Sequence, residues 1–154
     1  MRIGLGSDHA GFCYKQRIRQ DIQERGWQVE DFGASSEQPV DYPEVASSLA
    51  RAVAAGEIEL AVWVCGTGNG GAMVANRFAG VRAAVCNDPL TARFAREHND
   101  ANFIAIGQRI VGEEVALEIV RVALETSYSN AVRHARRLAK LAQLQSGNEP
   151  AGSG

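Results

Sequence analysis

Little in this 154-residue chain marks a membrane protein, a secreted scaffold or a nucleic-acid binder. No apolar run approaches the roughly 18 residues that a membrane span needs. The 16 Lys and Arg nearly cancel the 18 Asp and Glu, and a formal net charge of -2 offers no basic surface to nucleic acid or anionic lipid. Only three cysteines occur, Cys13, Cys65 and Cys86. An odd number without paired spacing argues against a disulfide framework and for reduced thiols. With the chain entering a strand-like segment at once and showing no secretion signal, a cytoplasmic location is expected. There is no CxxC and no His/Cys cluster with zinc spacing, so no metal is expected. Histidines are as scarce as cysteines, and His9, His98 and His134 can each be weighed singly.

An apolar content of 45% with 22% charged residues is enough for a globular core. Apolar β-branched runs alternate with helix-like segments. Strands are read at Arg2 to Ser7, Gln28 to Phe32, Glu59 to Val64, Val81 to Cys86 and Asn102 to Ile106. Helices are read from Gly11 to Arg25, from Pro43 to about Ala55, from a Thr67 or Asn69 cap to near Arg77, and from Pro89 to about Glu97 behind an Asp88 cap. Two more span Glu113 to Thr126 and Asn130 to Leu144, and Gly33 to Val40 is a loop. Repeated β-α alternation predicts an α/β fold with a parallel sheet covered by helices on both faces. Residues 1–144 are expected to form one domain, and the polar, Gly-rich 145–154 a frayed tail.

Ligands of such sheets sit at the carboxyl ends of the strands. Asp8 and His9 follow the first strand, Asp41 lies beyond the second, and Cys65 follows the third. His98, Asn99 and Asp100 stand just before the fifth and Arg109 just after it, so the polar groups are expected to gather at one place. The densest signal is Val62 to Ala72, where an apolar run ends in Cys65 and Gly66, Gly68, Gly70 and Gly71 fall within the next six residues. Glycines let backbone N–H groups face an anion, and the helix start that follows adds positive potential. A thiol there is depressed from its usual ~8.5 toward a thiolate. That pairing of base and anion cradle suits proton transfer beside a developing oxyanion. Cys13 and Cys86 have no such surroundings and are read as packing residues. On the last helix Arg133 and Arg137 are four apart, beside His134 and Arg136, and can grip one phosphate dianion; a solvated helical face is the plainer alternative.

Three motif readings compete for the glycine loop. Gly66-x-Gly68-x-x-Gly71 after a strand matches the dinucleotide fingerprint, with Asp88 near the distance for a ribose hydroxyl, which keeps a nucleotide-binding module in play. The loop sits on the third strand, though, and the chain leaves little room for a separate substrate domain. A phosphatase loop wants arginine where Gly71 stands, and a Walker loop needs Gly-Lys-Ser/Thr.

Five motifs occur in order: Ser7-Asp8-His9-Ala10-Gly11-Phe12, Asp41-Tyr42-Pro43, Cys65-Gly66-Thr67-Gly68-Asn69-Gly70, His98-Asn99-Asp100-Ala101-Asn102 and Gly107-Gln108-Arg109. Together they resemble the type B ribose-5-phosphate isomerases, whose family also holds galactose-6-phosphate and allose-6-phosphate isomerases. The resemblance runs from Met1 to about Leu144. It implies a three-layer α/β/α sandwich on a Rossmann-like five-stranded parallel sheet, no metal or organic cofactor, and dimers (sometimes tetramers) whose active sites draw on both chains. It further implies that His98 opens the sugar ring, with His134 as a weaker helper. Cys65 moves a proton between carbons 2 and 1. The N–H groups from Gly66 through Gly68 and Asn69 to Gly70 hold the enediolate, and Thr67 relays a proton. Asp8 assists the ring opening or orients the sugar hydroxyls, Asn99 binds sugar hydroxyls, and Asp41 lies in the second motif. The phosphate falls to His9, Arg133 and Arg137, with Arg109 nearby. The expected substrate is ribose 5-phosphate; a six-carbon sugar phosphate is the alternative, because Gly71, Ala72 and Gln108 depart from the common pattern in ways that would widen or reshape the pocket. Some relatives carry a glutamate base where Gly71 stands, so Cys65 is the base expected here.

Overall fold

The computed structural model describes residues 1–145 and 147. Its five strands are β1 (Ile3–Ser7), β2 (Val29–Asp31), β3 (Leu60–Cys65), β4 (Ala83–Val85) and β5 (Phe103–Gly107). They form one parallel sheet in the order β2-β1-β3-β5-β4. The helices are α1 (Phe12–Glu24), α2 (Tyr42–Ala54), α3 (Asn69–Ala75), α4 (Pro89–Asn99), α5 (Glu113–Glu125) and α6 (Val132–Gln145), with a 3-10 turn at His9–Gly11 leading into α1.

Right-handed crossovers decide which face each helix covers. The steps β1 to β2 and β4 to β5 run one way along the sheet, so α1 and α4 share a face. The steps β2 to β3 and β3 to β4 run the other way and put α2 and α3 opposite. The packing follows. Ile18 and Ile22 of α1, Ala92 of α4, and Ile119 and Val120 of α5 meet Leu5, Val62, Val64, Ile104 and Ile106. Leu49 and Val53 of α2 and Ala72 and Ala75 of α3 meet Ala61, Trp63, Phe103 and Ala105. The central strands are buried on both sides and read as near-continuous apolar runs. Each large apolar side chain so buried contributes about 1.5–3 kcal/mol. The result is the three-layer α/β/α sandwich that the motifs implied.

The order changes direction between β1 and β3, which pair with Ser7 opposite Val64. A crevice at such a switch point opens beyond the strand ends, and Asp8, His9 and Cys65 stand there.

Several local readings are corrected. Cys65 is the last residue of β3 rather than the first beyond it, because it pairs with Gly107 of β5. Strand β4 keeps only three residues, as the sheet's edge. Helix α3 is capped by neither Thr67 nor Asn69. Gly68 holds the N-cap position at φ 82°, a left-handed conformation that favours glycine. The Asp88 cap is present, its carboxylate accepting the Thr91 N–H at 2.8 Å. Gln145 belongs to α6, not to a tail; its side chain accepts the Gly80 N–H at 3.1 Å and donates to the Val81 carbonyl at 3.0 Å. The rest of the expected tail, apart from Gly147, lies outside the described residues.

Candidate functional site

The glycine loop drapes over the ends of β3 and β5. Gln108 N–H donates to the Cys65 carbonyl at 2.8 Å and Arg109 N–H to the Gly66 carbonyl at 3.0 Å. A side chain on Gly107 would strike the Thr67 backbone at 2.8 Å, so glycine there lets the loop lie directly on the strand end. Cys65 is buried, and its Sγ accepts the Gly68 N–H at 3.1 Å. Thr67 and Asn69 are exposed at the lip, with Thr67 Oγ1 near the Asn69 N–H at 3.4 Å. The Arg109 guanidinium lies beside Gly66: a Cβ built there would stand 3.6 Å from Nη1. One buried thiol, a bare backbone arc and one arginine thus share the carboxyl edge.

Asp8 and His9 approach from β1. Asp8 is buried, and one carboxylate oxygen accepts the Gly11 N–H at 3.0 Å, capping the 3-10 turn. Gly11 has no room for a side chain, since a Cβ would sit 2.1 Å from the Val64 carbonyl oxygen. That contact presses the turn onto β3. His9 is half-buried, and its Nδ1 accepts the Val40 N–H at 3.4 Å, which leaves the proton on Nε2 as a donor. Asp41 is exposed at the start of α2.

The other predicted residues stand elsewhere. His98 and Asn99 form the last turn of α4 rather than a loop, and α4 runs antiparallel to the strands. Beyond it Asp100 pairs with Arg82, which immediately precedes β4. This is the amino edge of the sheet. Phe103 opposite Ala61 and Gly107 opposite Cys65 mark the two ends of β5, about 13 Å apart at the rise of a strand. The expectation that all polar groups gather at one edge is therefore overturned: His98 and Asn99 precede a parallel strand, and that places them at the far end of it.

At this amino-edge cluster His98 stacks on Phe94 with ring centroids 4.8 Å apart and meets His134 of α6 at 4.4 Å. Arg133 Nε donates to His134 Nε2 at 3.1 Å. Arginine only donates, so Nδ1 carries the imidazole proton and gives it to Ser129 Oγ, 3.0 Å away. Burial first, and then the neighbouring His98, Arg133 and Arg137, hold His134 below its ordinary pKa, and Glu97 acts the other way. Arg133 and Arg137 themselves are exposed.

Among the remaining expectations, Cys13 is corrected: it is exposed, and its thiol donates to Glu37 at 2.8 Å, which raises its pKa. Cys86 is buried, as a packing residue should be, and burial pushes its thiol up to about 12. Neither departure at Gly71 nor at Gln108 opens the pocket. The space beside Gly71 is filled by the Trp63 indole, and Gln108 turns toward α1, its Oε1 accepting the Tyr14 N–H at 3.3 Å. Two residues at the cradle were missed. Tyr42 covers Gly70, whose Cβ would lie 2.8 Å from the ring, and Trp63 underlies Gly71. Tyr42 stood inside a quoted motif; Trp63 looked like an ordinary strand residue.

Clefts of about 380 and 430 Å³ open at the amino edge, near Arg2, Glu30 and Glu57 and near Arg82, Arg96 and Asp100 respectively. Neither holds a thiol or a histidine, so neither rivals the cradle as a place for chemistry. Among the described residues no cluster of three His, Cys, Asp or Glu side chains forms a metal-binding group, and no helix is long and apolar enough to cross a membrane.

A family model described as Ribose/Galactose Isomerase matches residues 3–141. Ribose-5-phosphate isomerase B of Escherichia coli (strain K12) is 42% identical over 144 residues, which cover 94% of this chain and 96% of that protein. The solved structure of Clostridium thermocellum ribose-5-phosphate isomerase B superposes with a TM-score of 0.93 at 42% identity, covering 96% of this chain and 99% of that one. For type B ribose 5-phosphate isomerase from Trypanosoma cruzi the TM-score is 0.92 at 37% identity, over 96% and 100%.

Proposed function

This chain belongs to the ribose/galactose isomerase family, and on that premise we propose that it interconverts ribose 5-phosphate and ribulose 5-phosphate. The observation that carries the chemistry is the Cys65 thiol, buried at a strand end and hydrogen-bonded by the Gly68 N–H of an open glycine cradle. In the proposed reaction the anomeric hydroxyl loses its proton as the ring oxygen gains one, and the ring opens. The Cys65 thiolate then takes the proton from carbon 2, and the electrons move onto the carbonyl oxygen at carbon 1. Cradle N–H groups hold the resulting enediolate. The thiol returns its proton to carbon 1 while the carbon 2 hydroxyl loses one, and Thr67 relays between the two oxygens. The remaining oxygen of Asp8 accepts from a sugar hydroxyl. His9 Nε2 and Arg109 hold the phosphate away from the reacting carbons, where its binding orients the chain without entering the chemistry.

Ring opening falls to His98, with Asn99 on the sugar hydroxyls, Arg133 and Arg137 on the phosphate and His134 beside them. In one chain these lie at the opposite edge of the sheet from Cys65. We therefore place them in the site through a second copy of the chain, whose α4–α6 end covers the cradle. The exposure of Met73 on α3, Leu90 and Phe94 on α4, and Val132 on α6 supports such a pairing. A homodimer is the smallest assembly that completes both sites, and a tetramer repeats it. A reduced, cytoplasmic setting suits a thiolate base and a phosphorylated substrate.

The test is the rate of ribulose 5-phosphate formation from ribose 5-phosphate by the native protein and by Cys65→Ala. A fall of about 10² or more in the variant is expected for loss of a general base. Native protein that turns over only hexose 6-phosphates, or nothing, overturns the reading.

A further inference from the structure

Trp63 lies wholly buried on the face of β3 that packs against α2 and α3. Glycines bracket its indole. A Cβ built on Gly6 of β1 would approach Cε3 to 3.2 Å and Cζ3 to 3.3 Å. One built on Gly71 of α3 would sit 2.1 Å from Nε1, 2.2 Å from Cδ1 and 2.7 Å from Cε2. The benzene edge therefore abuts one backbone and the pyrrole edge another. Trp63 Nε1 has no hydrogen-bond partner among the described residues, so packing alone holds the ring. β1 therefore stands behind the indole and opposes its retreat from Gly71 in that direction.

Gly71 closes the first turn of α3, three residues after Gly68. That turn carries the Gly68, Asn69 and Gly70 N–H groups of the cradle, and the Gly68 N–H reaches Cys65 Sγ. Trp63 and Cys65 are two apart on β3 and point to the same face. The indole is thus the spacer between the sheet that holds the base and the turn that holds the anion cradle.

We propose that Trp63 and Gly71 are a size-matched pair that sets the height of the α3 turn over Cys65, which makes Trp63 a positioning residue for the proton transfer. Bulk can be exchanged between the two positions, while added bulk at 71 alone lifts the cradle from the thiol. The catalytic consequence rests on the isomerase reading; the geometric one does not.

The test compares Gly71→Ala, Trp63→Phe and the double variant, reading isomerase kinetics, thermal midpoint and the amide resonance of Gly68. Gly71→Ala is expected to lower kcat by about tenfold or more, as a misplaced catalytic group does, with KM for ribose 5-phosphate held within about threefold. Its Gly68 amide should move upfield as the bond to sulfur lengthens. Adding Trp63→Phe removes the pyrrole ring that the new methyl strikes, and should return both readings to those of Trp63→Phe alone. Where Gly71→Ala fails to fold, recovery of folding in the double variant carries the same meaning. Native kinetics and a native Gly68 resonance in Gly71→Ala overturn the proposal, and so does a double variant no better than Gly71→Ala. Native protein without isomerase activity overturns the functional reading instead, and the Gly68 resonance still decides the pair.

Discussion

At the scale of single residues, the groups divide by how their protons are held. His134 is the clearest case: an arginine donates to one ring nitrogen and the other donates to Ser129, so the folded chain keeps it neutral. Burial first, and then the nearby His98 and arginines, lower its pKa from 6.5. Between that lowered value and 6.5 the unfolded chain binds the extra proton, so this group's effect on stability turns unfavourable as pH falls through the window. Thermal midpoints of native protein and His134→Gln between pH 7.5 and 5 should show the native protein losing more as pH falls; parallel curves would remove His134 from that role. The exposed Arg137 is proposed to hold the substrate phosphate. Loss of one charge-assisted bond to phosphate, about 1.5–3 kcal/mol, should raise KM for ribose 5-phosphate about 10- to 100-fold in Arg137→Ala. Weak turnover of unphosphorylated ribose should hardly change, and an equal effect on both sugars would remove Arg137 from the phosphate.

At the scale of elements, the site depends on backbones brought unusually close. The 3-10 turn that carries His9 rests on β3 through Gly11, where a methyl group would meet the Val64 carbonyl at 2.1 Å. A backbone oxygen in a central strand cannot yield as a side chain does. Gly11→Ala should therefore cost about 1–3 kcal/mol, the range of overpacked cores, and disturb Asp8 as well. A urea midpoint equal to the native one would show that the turn has slack. This scale is also where the sequence was least legible. Strand alternation and the Asp88 cap follow from local pattern, and both are present in the fold. The end of β3 and the length of β4 do not follow from it, because pairing partners set them: Gly107 draws Cys65 into the ladder, and the edge position cuts β4 short.

At the scale of the whole molecule, the length of β5, about 13 Å, lies between the edge that holds Cys65, the proposed base, and the edge that holds His98, the proposed ring opener. If two chains share each site, neither Cys65→Ala nor His98→Ala alone should be active, yet the co-expressed pair should be. Random pairing makes half the dimers mixed, each with one site free of both substitutions, so about a quarter of native specific activity is expected. Activity no higher than that of the separate variants would show that each site lies within one chain.

The sequence by itself determined the fold class, the switch-point motifs around Asp8 and His9, and the Cys65 cradle. These rest on periodicity, on glycine's freedom and on residues close together in the chain. Only the tertiary structure decided which edge each candidate occupies. A residue before a parallel strand and one after it look alike in sequence, yet the strand's length divides them, as it divides His98 from Cys65. Tertiary packing also decided that Gly71 is no opening in the pocket. The indole that fills its space comes from Trp63, eight residues earlier and on another element, and only packing brings the two together.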